Sequence, residues 1–393
     1  MRLSRYSWLV PLAFLGCSDL DREDRLEDLR ILAVRTEPAE ILFHPFHALV
    51  APEQRPPFLT LPSYDVDVEV FAYDPRGGEV ETMTQLCPEE QGVCIGFDPD
   101  AALAAAPESL REELRAVYEP RAAALPIASL DDSGDPAGRI SLRQSYRFTP
   151  AVIDSFIPKT ESGAPIPSFF PELPRVVIDV QNPGAADVTR ETGYKRIPVG
   201  FDVAHPDLPD GFLDTFGQAL GIRFCDAVIP DELFSEGPTD CVEPRGPNQN
   251  PTLVGFDLDR DDELPLIDNE GVRFADVSDL GPRSLLRVPR GGEVHLTPVF
   301  AVGDREHYQV LKFGVETQEL FLENRWEDYV VSWYSTRGDV SRDVSDVQFF
   351  GRLGLTWQLP FDGVLPGERD TLVAIARDQR GGTAVGHIVV EYR

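Results

Sequence analysis

The chain has 393 residues, of which 42% are hydrophobic and 26% charged, so it has the composition of a folded protein and the length to bury two cores. Its 67 acidic residues against 36 basic ones leave a formal net charge of −31, a field that repels phosphate backbones and excludes nucleic acid as a partner. Pro at 35 and Gly at 31 punctuate the chain too often for long helices and suit short strands joined by turns, so the expected class is mainly β.

The chain opens with Arg2 and Arg5, an apolar run from Leu9 to Leu15, and the small residue Gly16 before Cys17. A positive start, a short apolar run and a small residue make a removable export signal, and the run is too short to span a bilayer as a helix. Phe14-Leu15-Gly16-Cys17 resembles the lipobox of bacterial lipoproteins, with Phe14 where that family usually carries Leu. The resemblance implies cleavage after residue 16 and acylation of Cys17, palmitate included. Several acyl chains on one cysteine give lasting attachment where a single chain gives little. Ser18 after the cysteine is similar to the sorting pattern for the outer membrane. Loss of residues 1–16 would make the mature chain two charges more negative, and residues 17–28, acidic with little to bury, read as a solvated tether.

The body opens with a strand at Leu29 to Val34 and a turn at Glu37-Pro38. Next comes the clearest signal, Asp65 to Tyr73, in which Val66, Val68, Val70 and Ala72 alternate with Asp67, Glu69 and Phe71. Further strands are expected at Gly138 to Phe148, Arg175 to Val180 and Tyr194 to Val203. Between the strands at Asp65 to Tyr73 and Gly138 to Phe148 lies an Ala-rich stretch, Asp100 to Ala124, whose Leu110, Leu114 and Val117 share one helical face, so the first domain carries a helical insertion. With Cys17 assigned to lipid, Cys87, Cys94, Cys225 and Cys241 remain, an even set in an oxidising compartment; nearness in sequence favours disulfides between the first two and between the last two.

A Pro/Gly/Asn-rich run, Glu243 to Pro251, marks a boundary near Gln249, which gives domains at 29–248 and 249–393. In the second, strands are expected at Thr252 to Phe256, Glu293 to Val302, Asp328 to Tyr334, Leu353 to Leu359, Thr371 to Arg377 and Thr383 to Tyr392. Trp333, Leu355-Thr356-Trp357-Gln358-Leu359-Pro360 and the closing hairpin resemble bacterial surface lipoproteins with immunoglobulin-like or PKD-like domains, without the Cys-Trp-Cys frame of true immunoglobulin domains. That resemblance implies two β-sandwiches and a role in binding an envelope protein or glycan, or in spacing. The string Ala-x-Asp-x-Arg-Gly-Gly occurs at Ala72–Gly78 and at Ala376–Gly382, which reads as two hairpins with one turn chemistry or as a trace of duplication.

No G-x-S-x-G, H-E-x-x-H, phosphate-loop or dinucleotide motif is present. Asp257, Asp259 and Asp261, with Glu263 and Asp268, place carboxylates at alternate loop positions that suit calcium, although Asp262 stands where an EF-hand needs Gly. His44 and His47 have a metal-sharing spacing, but Pro45 breaks the helix that would align them. The reading is a non-enzymatic envelope lipoprotein attached to the membrane by its anchor; an envelope-polymer hydrolase and a calcium-dependent adhesion protein are the alternatives.

Overall fold

A computed structural model describes residues 24–50, 52–55, 60–77, 80–87, 108, 131–132, 139–157, 174–182, 190–206, 208–209, 211–220, 223–258, 272–314, 319–347 and 352–393. The segment expected as an export signal, Cys17, Cys94, Asp259, Asp261, Glu263, Asp268 and all of the Ala-rich stretch expected as a helix except Glu108 lie outside these residues, as does the side chain of Cys87. Strands dominate. In the earlier half they are β1 (Arg30–Glu37), β2 (Ile41–Phe43), β3 (Tyr64–Tyr73), β4 (Glu81–Cys87), β5 (Asp131–Asp132), β6 (Arg139–Phe148), β7 (Arg175–Gln181), β8 (Arg190–Arg196) and β9 (Val199–Phe201). In the later half they are β10 (Gly237–Thr239), β11 (Leu253–Leu258), β12 (Arg273–Phe274), β13 (Arg283–Val288), β14 (Glu293–Phe300), β15 (His307–Gly314), β16 (Glu319–Trp326), β17 (Val330–Ser335), β18 (Asp339–Val340), β19 (Val344–Asp346), β20 (Leu355–Gln358), β21 (Arg369–Arg377) and β22 (Thr383–Tyr392). No helix among the described residues is long and apolar enough to cross a membrane.

In the earlier half, one sheet runs β1-β3-β6-β5, a second runs β4-β7-β8, and β2 pairs in parallel with β9. The alternation of β3 turns Val66, Val68, Val70 and Ala72 onto a core that they share with Tyr146, Phe148, Val176, Ile178 and Val180. The Tyr146 hydroxyl crosses that core to donate to Thr84 Oγ1 at 2.5 Å, which satisfies a buried phenol. The strand expected at Tyr194 to Val203 is broken: Pro198 has no amide to give a ladder, so the chain leaves β7 after Arg196 and takes up β2 at Val199. A helix, α1 (Pro150–Phe156), follows β6. It starts with Thr149 Oγ1 accepting the Val152 amide at 3.4 Å and Pro150 in the first turn, and it buries Val152, Ile153 and Phe156.

In the later half, β11-β14-β20-β18 face β13-β22-β21-β17-β19, with β13 parallel to β22. Trp333 and Trp357 are fully buried between the two sheets, and Trp333 Nε1 donates to Ser345 Oγ at 2.5 Å. The hairpin β15–β16 is inserted between β14 and β17 and is joined by β10. By that pairing, the disulfide-bearing segment that the sequence groups with the earlier strands sides with the later ones. Cys225 and Cys241 are bonded as their spacing predicts.

β21 reads Thr-Leu-Val-Ala-Ile-Ala with no alternation because both of its faces are covered. Leu372, Ala374 and Ala376 enter the later core, while Val373 and Ile375 form a seam with Leu26, Leu32, Ala33 and Tyr73. A register shift in β1 between Ile31 and Ala33 turns both Leu32 and Ala33 to that seam. Residues 24–28, expected in a solvated tether, are partly laid into the fold. Asp24 and Leu26 are buried, and the Leu26 amide donates to Ser335 O at 3.0 Å.

Candidate functional site

The two Ala-x-Asp-x-Arg-Gly-Gly strings share a turn and differ in connection. Asp74 Oδ1 accepts the Arg76 amide at 3.0 Å and Asp378 Oδ1 the Arg380 amide at 2.8 Å; each carboxylate also accepts from a buried asparagine, Asn182 and Asn248. The first string does not make a hairpin, for β3 and β4 belong to different sheets, whereas β21 and β22 pair directly. The second string carries Arg380 into a cluster of three carboxylates.

The Arg380 guanidinium donates to Glu40 Oε2 at 2.9 Å, to Glu306 Oε2 at 2.8 Å and to Glu327 Oε1 at 3.4 Å, so one cation ties the β1–β2 turn to the later half. Lys195 adds a second cross-link, donating to Gly381 O and Thr383 Oγ1; burial pushes its amine down to about 8. Burial first, and then the charge of Asp378, raises the Glu327 carboxyl from its ordinary 4.5 to about 8 against the pull of Arg380. A carboxyl raised in the fold contributes stability that is complete below the unfolded value and is lost as pH rises through the folded one. The stability of Glu327→Gln relative to wild type is therefore expected to rise by about 1 kcal/mol or more from pH 5 to pH 8. Chemical denaturation at the two pH values checks this, and equal differences at both would refute it.

Beside Arg380 lies a cleft of about 250 Å³ whose polar lining is Asp231, Arg245, Arg305, Glu306, His307 and Arg380 itself. His307 is held between two carboxylates, Nδ1 at 2.9 Å from Asp231 Oδ1 and Nε2 at 3.2 Å from Glu243 Oε2, with its ring 3.9 Å from that of Phe234. Arg245 Nε donates to the same Glu243 oxygen at 2.8 Å. Three arginines and a histidine interleaved with carboxylates suit a polar ligand of mixed charge.

Of the calcium candidates, Asp257 is described, and it is engaged: its carboxylate pairs with Arg273 and accepts the Asp279 amide at 3.2 Å. The described residues contain no group of three or more His, Cys, Asp or Glu able to hold a metal. His44 and His47 are buried for structural ends. His44 Nδ1 accepts the Phe46 amide at 3.3 Å, and His47 Nδ1 meets Asp154 at 2.7 Å while Arg55 grips the same carboxylate with two donors. Burial lowers the His47 pKa, which Asp154 offsets only in part. Asp154 is buried too, but its bonds to His47 and Arg55 outweigh that and hold its carboxyl below the usual range.

No family model matches the chain, and no curated protein matches it. Among solved structures, similarity is found to a nucleoside hydrolase-related hypothetical protein from Saccharophagus degradans that is associated with carbohydrate metabolism, at TM-score 0.20 and 15% identity over 37% of this chain and 26% of that one. The chain thus spans about a quarter of that protein. The tandem Ig repeats of Dlar align at TM-score 0.18 and 7% identity over 84% and 89% of the two chains. The dimeric latent PorU from Porphyromonas gingivalis aligns at 0.16 and 10% over 93% and 34%. Likeness at this level fixes neither fold nor function.

Proposed function

We infer that the chain is an outer-membrane lipoprotein of the cell envelope, anchored through acyl groups on Cys17, in which two immunoglobulin-like sandwiches act together as a rigid, non-enzymatic arm that binds an envelope protein or glycan or serves as a spacer. The observation that carries this reading is the seam. An apolar strip from Leu26 to Ile375 and the Arg380 cluster join the two cores along a shared face, which a stiff arm needs and a flexible linker would not supply.

Strand order supports the immunoglobulin-like part. Taken in chain order, β1, β3, β6 and β5 opposite β4, β7 and β8 follow the A-B-E-D and C-F-G arrangement of that fold, and β11, β14, β20 and β18 opposite β22, β21 and β17 follow it again. In both halves a short early strand pairs in parallel with the last strand, β2 with β9 and β13 with β22. Trp333 then stands on the strand that would bury the central Trp of such a sandwich.

The test is the intact mass of the membrane-extracted protein. A chain beginning at Cys17 with acyl groups, gaining about 4 Da when two disulfides are reduced, is expected. Cys17→Ser should move the protein to the soluble fraction. An unacylated wild-type chain would remove the anchor and the envelope assignment with it.

A further inference from the structure

β19 covers β17 only as far as Ser332. At Ser335 the exposed edge is taken by the N-terminal segment: the Ser335 amide donates to Asp24 O at 2.8 Å, the Leu26 amide donates back to Ser335 O, and Arg25 meets Asp339 at 2.7 Å. Seven positions separate Cys17 from Asp24, a reach of at most about 25 Å when fully extended. An acylated Cys17 therefore keeps the Ser335–Asp339 corner close to the bilayer.

That corner adjoins the loop between β20 and β21. Arg337 donates to Gly363 O at 3.4 Å and pairs with Glu368 at 3.0 Å, and Asp339 lies opposite Gln358. The loop holds Phe361 72% exposed and Leu365 65% exposed. It is pinned in that form: the Gly291 amide donates to Pro360 O at 3.0 Å, Arg290 to Val364 O at 3.4 Å, and the Gly367 amide to Tyr392 O at 2.7 Å. Gly363 and Gly367 turn it at φ of 76° and 86°, where a side chain would be strained. Phe361 rests against Gly291, where a Cβ would come within 2.6 Å of its ring. Two large apolar side chains are thus fixed in water by a built loop, next to the point at which the anchor's chain arrives.

We propose that Phe361 and Leu365 dock into the headgroup layer of the membrane to which Cys17 is tied, standing the body on this end with the 378–382 hairpin and the cleft turned away. The inference rests on the acylation of Cys17. Tether length sets the distance, and the apolar pair sets the orientation. Asp362 and Glu368 in the same loop keep the contact shallow, and the net charge of the body favours a zwitterionic surface over an anionic one.

The experiment places the full acylated protein in phosphatidylcholine vesicles, with and without acyl-chain-brominated phosphatidylcholine, as Phe361→Trp, Leu365→Trp and, for a control far from the loop, Leu233→Trp. Trp326, Trp333 and Trp357 are present in every variant and give a common background, which wild type on the same vesicles measures. Emission from positions 361 and 365 is expected to shift to the blue on vesicles and to be lost with brominated lipid, while that from 233 stays unchanged. Unquenched emission from a chain whose mass carries the acyl groups overturns the docking and leaves the anchor standing. A mass without them removes both. Self-association of the detergent-extracted protein that disappears in the Phe361→Ser, Leu365→Ser double variant would assign the pair to a second copy and overturn the membrane contact.

Discussion

Arg380→Ala is expected to lower the free energy of unfolding by about 3–5 kcal/mol, the loss typical of removing one partner from a buried ionic cluster. The side chain is largely buried, 14% exposed, and its guanidinium serves Glu40 from the earlier half and Glu306 and the buried Glu327 from the later one. Without it, three carboxylates face one another with no shared counter-charge. Arg380→Lys should recover only part of the loss, because a single ammonium cannot span acceptors that the planar guanidinium reaches from two of its nitrogens. The sign of the pH dependence follows from the carboxyls. Burial already raises Glu306 and Glu327, and removal of the cation raises them further, so the deficit of the variant should be largest near pH 8 and shrink as pH falls toward the ordinary carboxylate range. Urea denaturation at pH 5 and pH 8 measures both limits. A loss of equal size at both would trace it to the packing of Arg380 over the Tyr308 ring and not to charge.

This cluster was illegible in the sequence for a plain reason. Glu40 and Arg380 stand 340 positions apart, and none of the carboxylates around the guanidinium differs from the many others in an acidic chain. The one local signal was the Asp-x-Arg-Gly-Gly turn, which places Arg380 two residues beyond the aspartate that caps it. The strands with a single buried face were readable: β3 alternates cleanly, and Trp333 falls in the core where the pattern around it predicts. The hairpin β15–β16 was missed because its buried positions include His307, held by Asp231 and Glu243, and Asn324, bonded to Gln309 and the Ser235 carbonyl, so no apolar alternation marks it. β13 was missed because it is an edge strand whose pairing partner, β22, lies about a hundred positions away. The laying-in of residues 24–26 has no local signal, since the backbones of Asp24 and Leu26 pair with Ser335 of β17, far along the chain.

The seam offers the sharpest test of the rigid-arm reading. Ile375 is fully buried among Leu32, Ala33, Tyr73 and Val373, on the face of β21 that points away from the later core. Ile375→Ala should cost about 2–5 kcal/mol, as truncation of a buried aliphatic side chain does, but the cost falls on the contact between the two cores and not on the packing inside either. The expected result is a change in cooperativity. Trp326, Trp333 and Trp357 all lie in the later half, so in a chain cut after residue 16, as the proposed anchor requires, the fourth tryptophan, Trp8, is lost and fluorescence reports the later half alone while far-ultraviolet dichroism reports both. In wild type the two signals should fall together along a denaturant titration; in Ile375→Ala they should separate, with one half melting before the other. Trp333→Phe, which disturbs the later core and leaves the seam in place, should shift both signals together. If the wild-type signals already separate, the halves are coupled too weakly to act as one body, and the arm becomes two beads on a string.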